Sequence, residues 1–322
     1  MLDARLRRLF SMVAVVVVLA MLAAACGDSD DDDTTAATDT TAAGTTTGAS
    51  DTTAAAADTT AAADTTASAE GSCAVEDLPL HEPGTLTVAT GEPAFPPWVI
   101  DDDPTNGQGF ESAVVYAVAE ELGITAENVV WVRTGFDEAV APGDKPYDFN
   151  VQQYSITEQR DEVVDFSDGY YAVDQALVAA PDAEVAGATS IADLKSAQLG
   201  AAIGTTSLDY IEEVIDPDSE AAVYDDNAAA KAAFDAGQVD GLVFDLPTAF
   251  FITAVEIPDA AIVGILPQVG DEPEELGLLF EDGSPLVDCV NQALATLADN
   301  GTLEAVEQEW LQSGGDTPTL SQ

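Results

Sequence analysis

The chain has 322 residues, of which 60 are Asp or Glu and eight are Lys or Arg, for a formal net charge of −52 at pH 7. A charge of this sign and size argues against nucleic acid and anionic lipid as partners, because both would be repelled. It is compatible with a saline exterior, where salt screens the repulsion.

The first 25 residues have the pattern of a secretory signal, in which three arginines precede an apolar stretch at residues 12–22. That stretch is short for a membrane span. Small residues at 23–25 followed by Cys26 resemble the lipobox of bacterial lipoproteins, although Leu22 lies four positions before the cysteine rather than three. We expect residues 1–25 to be removed and Cys26 to carry a lipid anchor on the outer face of the membrane. The alternative is ordinary secretion without a role for Cys26.

Residues 27–71 consist almost entirely of Asp, Thr, Ala, Gly and Ser and contain no aromatic side chain. Such a segment cannot bury enough apolar surface to offset the entropy lost on ordering. We therefore predict a disordered tether over residues 26–71. A flexible coil of this length has an r.m.s. reach of roughly 35 to 40 Å, enough to hold a folded domain near a membrane.

Beyond residue 72 the pattern alternates between strands and helices, which is typical of α/β folds with a parallel or mixed sheet. The length suffices for two small lobes or one large domain. The first half predicts strands at 85–90, 129–132 and 147–151, and a helix at 110–122 ended by Gly123. The second half predicts strands at 198–203, 239–244 and 276–280, and helices at 207–215, 227–236, 287–298 and 303–311.

Polar and aromatic side chains follow four of the predicted strands at their carboxyl ends, where open α/β sheets bind ligands. Arg160 could hold a ligand carboxylate through paired hydrogen bonds, helped by backbone N–H groups at the helix start near Thr206. Asp245, after another strand, could take an ammonium group. This combination predicts a site for a zwitterion. The candidate apolar walls of that site are Phe95, Trp98 and Phe136.

Each candidate also has a purely structural alternative. Ser155 and Glu158 have the spacing of a capping box, which would only start a helix. Arg160 could pair with Asp161 or Glu162 at the surface. The remaining alternatives are a capping role for Thr206, a turn before Pro247 for Asp245, and core packing for Phe95 and Trp98.

Two cysteines remain in the globular part, Cys73 near its start and Cys289 near its end. In an exported protein such a pair favours a disulfide, and two unpaired thiols are the alternative. The chain has a single histidine, His81, and no Cys-x-x-Cys pattern. We therefore expect neither a metal nor a cofactor.

From about Gly84 to Leu311 the sequence resembles the periplasmic-type amino-acid-binding proteins of ABC importers, solute-binding family 3. The resemblance is carried by LTVATGEPAFPPW, GFESAVVYAVAEELG, YDFNVQQYSITEQRDEVVDFSDGYY, LGAAIGTTS, AAAKAAFDAGQVDGLVFDLPTAFF and ALATLADNGTLEAVEQEWL. It implies two α/β lobes joined by two hinge strands and closing over a ligand. Residues 72–174 with 276–322 would form lobe one, and residues 175–275 lobe two.

The resemblance also implies a role for each candidate residue. Arg160 matches the carboxylate-binding arginine of the family, Ser155 its hydroxyl partner and Thr206 the carboxylate contact of the second lobe. Asp245 matches the aspartate that binds the ammonium group. Phe95 matches the aromatic that stacks on the ligand side chain, and Glu92 matches an acid that contacts cationic side chains in some members.

Two departures from the family pattern lie near the side-chain end of the expected pocket, at Gln152-Gln153 and at residues 141–146. We count Gln153 among the candidate ligand contacts. The predicted function is a monomeric, lipid-anchored receptor, not an enzyme, that passes a basic or polar amino acid to a separate ABC permease. The alternatives are an enzyme on the same fold, of the cyclic amino acid dehydratase type, and a ligand-sensing surface receptor.

Overall fold

A computed structural model describes residues 72–311 and 315–322. The predicted signal (residues 1–25), the tether (residues 26–71) and Cys26 lie outside the described residues. Within those two described ranges, no helix is long and apolar enough to cross a membrane.

Strands and helices alternate along most of the described chain. The strands are β1 (Leu86–Thr90), β2 (Val129–Arg133), β3 (Phe149–Asn150), β4 (Val164–Phe166), β5 (Tyr171–Val173), β6 (Gln175–Ala179), β7 (Leu199–Ala202), β8 (Ala222–Tyr224), β9 (Gly241–Asp245), β10 (Ala261–Ile265), β11 (Glu274–Leu276) and β12 (Leu279–Glu281). The α-helices are α1 (Phe110–Glu121), α2 (Phe136–Val140), α3 (Glu158–Asp161), α4 (Thr206–Asp209), α5 (Asn227–Asp235), α6 (Leu246–Phe251), α7 (Val287–Asp299) and α8 (Thr302–Trp310).

Sheet one has the strand order β2-β1-β3-β12-β4. β1 pairs in parallel with β2 and β3, whereas β12 is antiparallel to β3 and β4. Apolar side chains of β1 pack with α1 and α7 in one buried cluster that includes Val88, Phe110, Val114 and Leu294. Partly buried residues of α8 pack against the same cluster.

Sheet two has the order β10-β6-β9-β7-β8, with β7 parallel to β8 and β9, and β6 antiparallel to β9 and β10. Its two faces are both buried. Leu177 of β6 belongs to the cluster that contains Ile211, while Val178 belongs to the cluster that contains Phe234. Successive strand residues point to opposite faces, so a continuous apolar run is what a sheet covered on both sides requires.

A short antiparallel ladder of β5 and β11 lies between the two sheets, with Tyr171 opposite Leu276 and Val173 opposite Glu274. The chain passes from sheet one into sheet two after β5 and returns through β11. This arrangement confirms the predicted α/β fold with two lobes joined by two hinge strands.

The C-terminal tail departs from the predicted division into lobes, because residues 318–321 pair with sheet two rather than remaining in lobe one. Backbone hydrogen bonds join Leu320 to Ile265 and Ser321 to Thr189. Leu320 is buried among apolar residues of lobe two. Gly264 permits this approach, since a Cβ there would lie 2.8 Å from the Pro318 carbonyl oxygen.

Two predicted elements are also divided in the structure. The helix predicted over residues 207–215 is α4 followed by a π-helical segment, Tyr210–Ile215. The extended stretch predicted over residues 276–280 ends one strand and begins another around Gly277, where a Cβ would lie 2.8 Å from the Ile156 side chain. The first strand pairs with β5 and the second with β3 and β4, so the chain changes pairing partners at Gly277.

A disulfide joins Cys73 to Cys289, with an S–S distance of 2.04 Å and a Cα–Cα distance of 5.5 Å. The bond links the start of the described chain to α7 of lobe one.

Candidate functional site

Loops at the carboxyl ends of β1 and β3 in lobe one and of β7, β8 and β9 in lobe two line one cavity of about 280 Å³. This is the edge at which open α/β sheets bind ligands. Most of the predicted site residues meet there, namely Glu92, Phe95, Phe136, Gln153, Ser155, Arg160, Thr206 and Asp245.

Trp98 is the exception, because it does not line this cavity. Its side chain is fully buried and packs edge-on against Phe110 and Tyr171. Its Nε1 donates a hydrogen bond of 2.8 Å to the hydroxyl of Thr248 in lobe two. Trp98 therefore belongs to the core of lobe one and joins the lobes, as the core-packing alternative for this residue implied.

Arg160 lies on α3, one short helical turn whose N-cap is Thr157. The guanidinium donates to the carbonyl oxygen of Ser155 at 2.6 Å and, across the cleft, to that of Gly204 at 2.8 Å. It also lies over the Phe136 ring, 5.4 Å from the centroid. Because a guanidinium has five N–H donors, these two bonds leave others for a ligand.

The charge of Arg160 has no close counter-ion in the described chain. The residue is 7 % exposed. No Asp or Glu oxygen of residues 72–311 or 315–322 forms an ion pair with it within 4.0 Å. Burial lowers the pKa of Arg160, while more distant carboxylates partly oppose that shift. The alternative in which Arg160 pairs with Asp161 or Glu162 at the surface is therefore wrong. The site instead contains a buried cation suited to an anionic group.

The hydroxyls of Ser155 and Thr206 meet across the cleft at 3.2 Å. Both also donate to the same carboxylate oxygen, Oε1 of Glu274, at 2.5 and 2.6 Å. Neither hydroxyl caps a helix, since Thr157 caps α3 and Thr205 caps α4. Glu274 was not predicted as a site residue, because it lies on an antiparallel hinge strand and follows no parallel strand of the sheets.

Asp245 ends β9 and lines the same cavity as Arg160, and its side chain caps no helix. It accepts a hydrogen bond of 2.8 Å from Nε2 of Gln175, whose Oε1 accepts from the Ser207 hydroxyl. Burial, followed by the charge of Glu274, raises the pKa of Asp245 to about 7. A cationic group bound beside Asp245 would favour its ionised form.

Gln153 is hydrogen-bonded to the buried carboxylate of Glu111. Its backbone N–H donates to Oε1 of Glu111 at 2.7 Å, and its side-chain amide donates to Oε2. The Tyr170 hydroxyl donates to the same carboxylate at 2.6 Å. Burial raises the pKa of Glu111 to about 7. Glu111 thus fixes the loop after β3, where Gln153 has a left-handed backbone with φ 51°.

The cavity lining is acidic apart from Arg160. Glu92 and Asp245 are joined there by Asp225 and Asp226, which sequence reasoning did not select. Their position at the end of β8, directly before α5, was the available signal. Asp226 also caps α5 by accepting from the Ala229 N–H. Four carboxyl groups against one guanidinium favour a ligand of net positive charge.

The lobes are joined across the cleft by hydrogen bonds from Arg160 to the Gly204 carbonyl oxygen and from Trp98 to the Thr248 hydroxyl, and by the shared contact of Ser155 and Thr206 with Glu274. Gly204 has φ +71°, and a Cβ there would lie 2.3 Å from Oδ1 of Asp137 in lobe one. A side chain at position 204 would be strained by this backbone conformation and would displace the exposed Asp137 side chain. Within the described residues, no group of three or more His, Cys, Asp or Glu side chains is arranged to hold a metal ion.

This geometry defines a two-lobed binding protein with its ligand cavity between the lobes. The profile of "Bacterial extracellular solute-binding proteins, family 3" matches residues 86–313. The chain therefore belongs to this family, whose members act outside the cytoplasm.

Several relatives are similar to this chain over most of the matched region. The L-cystine-binding protein TcyJ of Escherichia coli K12 is 27% identical over 233 residues, covering 71% of this chain and 83% of TcyJ. The structure of an ancestral arginine-binding protein bound to arginine matches with a TM-score of 0.61 and 29% identity, covering 71% of this chain and 99% of that one. The ancestral amino acid-binding protein AncCDT-1, a precursor of cyclohexadienyl dehydratase, matches with a TM-score of 0.59 and 27% identity, covering 71% and 96%.

The pKa of Asp245 predicts how ligand binding depends on pH. Near pH 6 the carboxyl of the free protein is mostly protonated, whereas near pH 8 it is mostly ionised. An ammonium group binds the ionised form, so the dissociation constant should be about tenfold larger at pH 6 than at pH 8. Isothermal titration calorimetry across this range measures the change.

An Asp245→Asn variant is the control for this pH dependence, because Glu111 also titrates near 7. The variant should bind more weakly at pH 8 and show little change between pH 6 and 8. A variant that kept the tenfold change would assign the dependence to another group.

Proposed function

We propose that this protein captures a basic or polar amino acid outside the cytoplasm and delivers it to an ABC importer formed by other polypeptides. The observation that carries the proposal is Arg160, a buried guanidinium in the cavity wall with free N–H donors and no ion pair among the described residues. A ligand carboxylate would supply the missing charge. Asp245, on the other lobe, would receive the ammonium group.

Preference for a basic side chain follows from the remaining lining. Glu92, Asp225 and Asp226 add negative charge beyond what Arg160 balances. Phe95 and Phe136 supply apolar walls for the aliphatic part of a side chain. The similar ancestral protein was solved with arginine, which is consistent with a cavity of this chemistry.

Delivery would depend on closure of the lobes. A ligand that contacts both Arg160 and Asp245 binds the closed form better than the open one and so shifts the population towards it. The closed form would present both lobes to the permease. We further propose that Cys26 carries the lipid anchor and that residues 26–71 tether the binding domain to the membrane.

Thermal-shift measurement with each of the 20 amino acids tests the proposal. At a ligand concentration a thousandfold above its dissociation constant, binding adds about 4 kcal/mol and should raise Tm by about 8 to 16 °C. Lysine and arginine are the expected ligands among them. Absence of a shift with every amino acid would contradict the proposal, and a product of the bound ligand in a mass spectrum would favour the dehydratase-type enzyme instead.

A further inference from the structure

The hydroxyl pair formed by Ser155 and Thr206 has an internal carboxylate behind it. Glu274 lies on β11 of the hinge ladder, whereas Ser155 is in lobe one and Thr206 in lobe two. Both hydroxyls point to Oε1 of Glu274, at 2.5 and 2.6 Å. One carboxylate therefore binds both lobes at the place where the family resemblance puts two contacts to the ligand carboxylate.

Hydrogen-bond stoichiometry decides what the two hydroxyls can offer a ligand. A hydroxyl has a single proton and two acceptor lone pairs. At these distances the protons of Ser155 and Thr206 go to the carboxylate, since charge-assisted hydrogen bonds are stronger than neutral ones. The hydroxyls then present lone pairs to the cavity and accept hydrogen bonds there.

The charge of Glu274 reinforces this direction. Glu274 does not line the ligand cavity but a second cavity of about 400 Å³, and Thr206 lines both. No Lys or Arg of residues 72–311 or 315–322 forms an ion pair with Glu274 within 4.0 Å. Nε2 of Gln175 lies 3.3 Å from each carboxylate oxygen of Glu274. A negative charge, countered at longer range by Arg160, thus stands directly behind the hydroxyl pair.

We propose that Glu274 is a specificity-determining residue, which makes Ser155 and Thr206 accept hydrogen bonds from a cationic N–H group of the ligand and disfavours a carboxylate beside them. The ligand carboxylate is then left to Arg160 alone. This inference rests on the proposed function and sharpens its substrate class. The α-carboxylate then contributes the attraction of Arg160 less the repulsion of Glu274, so that decarboxylated amines compete with the corresponding amino acids.

Matched ligand pairs test the role of Glu274. L-arginine and agmatine differ only by the carboxylate, as do L-ornithine and putrescine. For each pair, calorimetry at pH 8 gives the ratio of the amine's dissociation constant to that of the amino acid. We expect a ratio below about ten in the unaltered protein. In Glu274→Gln the ratio should rise at least about tenfold, because a like charge beside the carboxylate is removed.

Glu275→Gln is the matched control, since it removes the same charge from the neighbouring, exposed position of β11. Its ratio should equal that of the unaltered protein. Glu274→Ala, which removes the acceptor entirely, should shift the ratio in the same direction as Glu274→Gln. If one of the two variants is too unstable to measure, the other still tests the role of Glu274.

The outcomes separate this inference from the proposed function. If the amino acids bind and neither variant at position 274 changes the ratio, or if the unaltered protein prefers the amino acids more than about tenfold, the role of Glu274 is wrong while amino-acid binding stands. If no amino acid and neither amine binds the unaltered protein, the proposed function fails, and the role of Glu274 fails with it.

Discussion

Replacement of Arg160 by Ala should weaken amino-acid binding at least about 30-fold. Truncating one partner of a buried, hydrogen-bonded charge pair commonly costs 2 to 5 kcal/mol, and a ligand carboxylate would be left without its cation. The guanidinium also ties the lobes together through Gly204. The variant therefore loses both a ligand contact and a contact of the closed form. Calorimetry with the amino acid that gives the largest thermal shift measures the loss.

The fold should survive this substitution. Arg160 is a buried cation without an ion pair among the described residues, so its removal also removes a desolvated charge. Lys195→Ala is the control, because Lys195 is a surface cation paired with Asp216 and lies outside the cavity lining. It should bind as the unaltered protein does. A large loss of Tm in Arg160→Ala with normal affinity would assign Arg160 a structural role instead.

The position of most cavity residues could be predicted because it follows from sheet topology. Side chains after β1, β3, β7 and β9 must emerge at the same edge once these strands run in parallel within their sheets. Ser155, Thr206 and Asp245 occupy such positions, and the structure places them around one cavity. Asp225 and Asp226 obey the same rule after β8 and could have been found, had that short strand been recognised.

Contacts that depend on the hinge could not be predicted in this way. Glu274 reaches Ser155 and Thr206 only because β11 pairs with β5 between the lobes. The residues around Glu274 in the sequence contain no pattern that predicts the pairing of β11 with β5. Trp98 was misassigned for a related reason. An aromatic residue among prolines suits both a cavity wall and a core, and the choice depends on Phe110, Tyr171 and Thr248 from distant parts of the chain.

The C-terminal tail shows the same limit. Residues 315–322 are Gly or polar apart from Pro318 and Leu320, so composition gives no sign of contacts with lobe two. Its pairing with Ile265 depends on the missing side chain at Gly264, which lets the two backbones approach. The edge of sheet two at β10 is thereby covered, which protects an otherwise unpaired strand edge.

Loss of the disulfide should produce the largest change in stability. Cys73 and Cys289 are 216 positions apart, so their bond removes much of the freedom of the unfolded chain. Chain-entropy estimates for such a loop exceed about 4 kcal/mol, and we take about 4 kcal/mol, the upper end of the typical stabilisation by a disulfide. For a domain of this size, that corresponds to a fall in Tm of about 8 to 16 °C in the double variant Cys73→Ser, Cys289→Ser.

Reduction distinguishes the bond itself from the effect of the substitutions. Reductant should lower Tm of the unaltered protein by a similar amount and leave the double variant unchanged. Amino-acid affinity should stay the same in folded samples, because neither cysteine lines the ligand cavity. An unchanged Tm in both experiments would mean that the bond adds no stability. A loss of affinity without unfolding would instead mean that the link between the start of the domain and α7 affects how the lobes close.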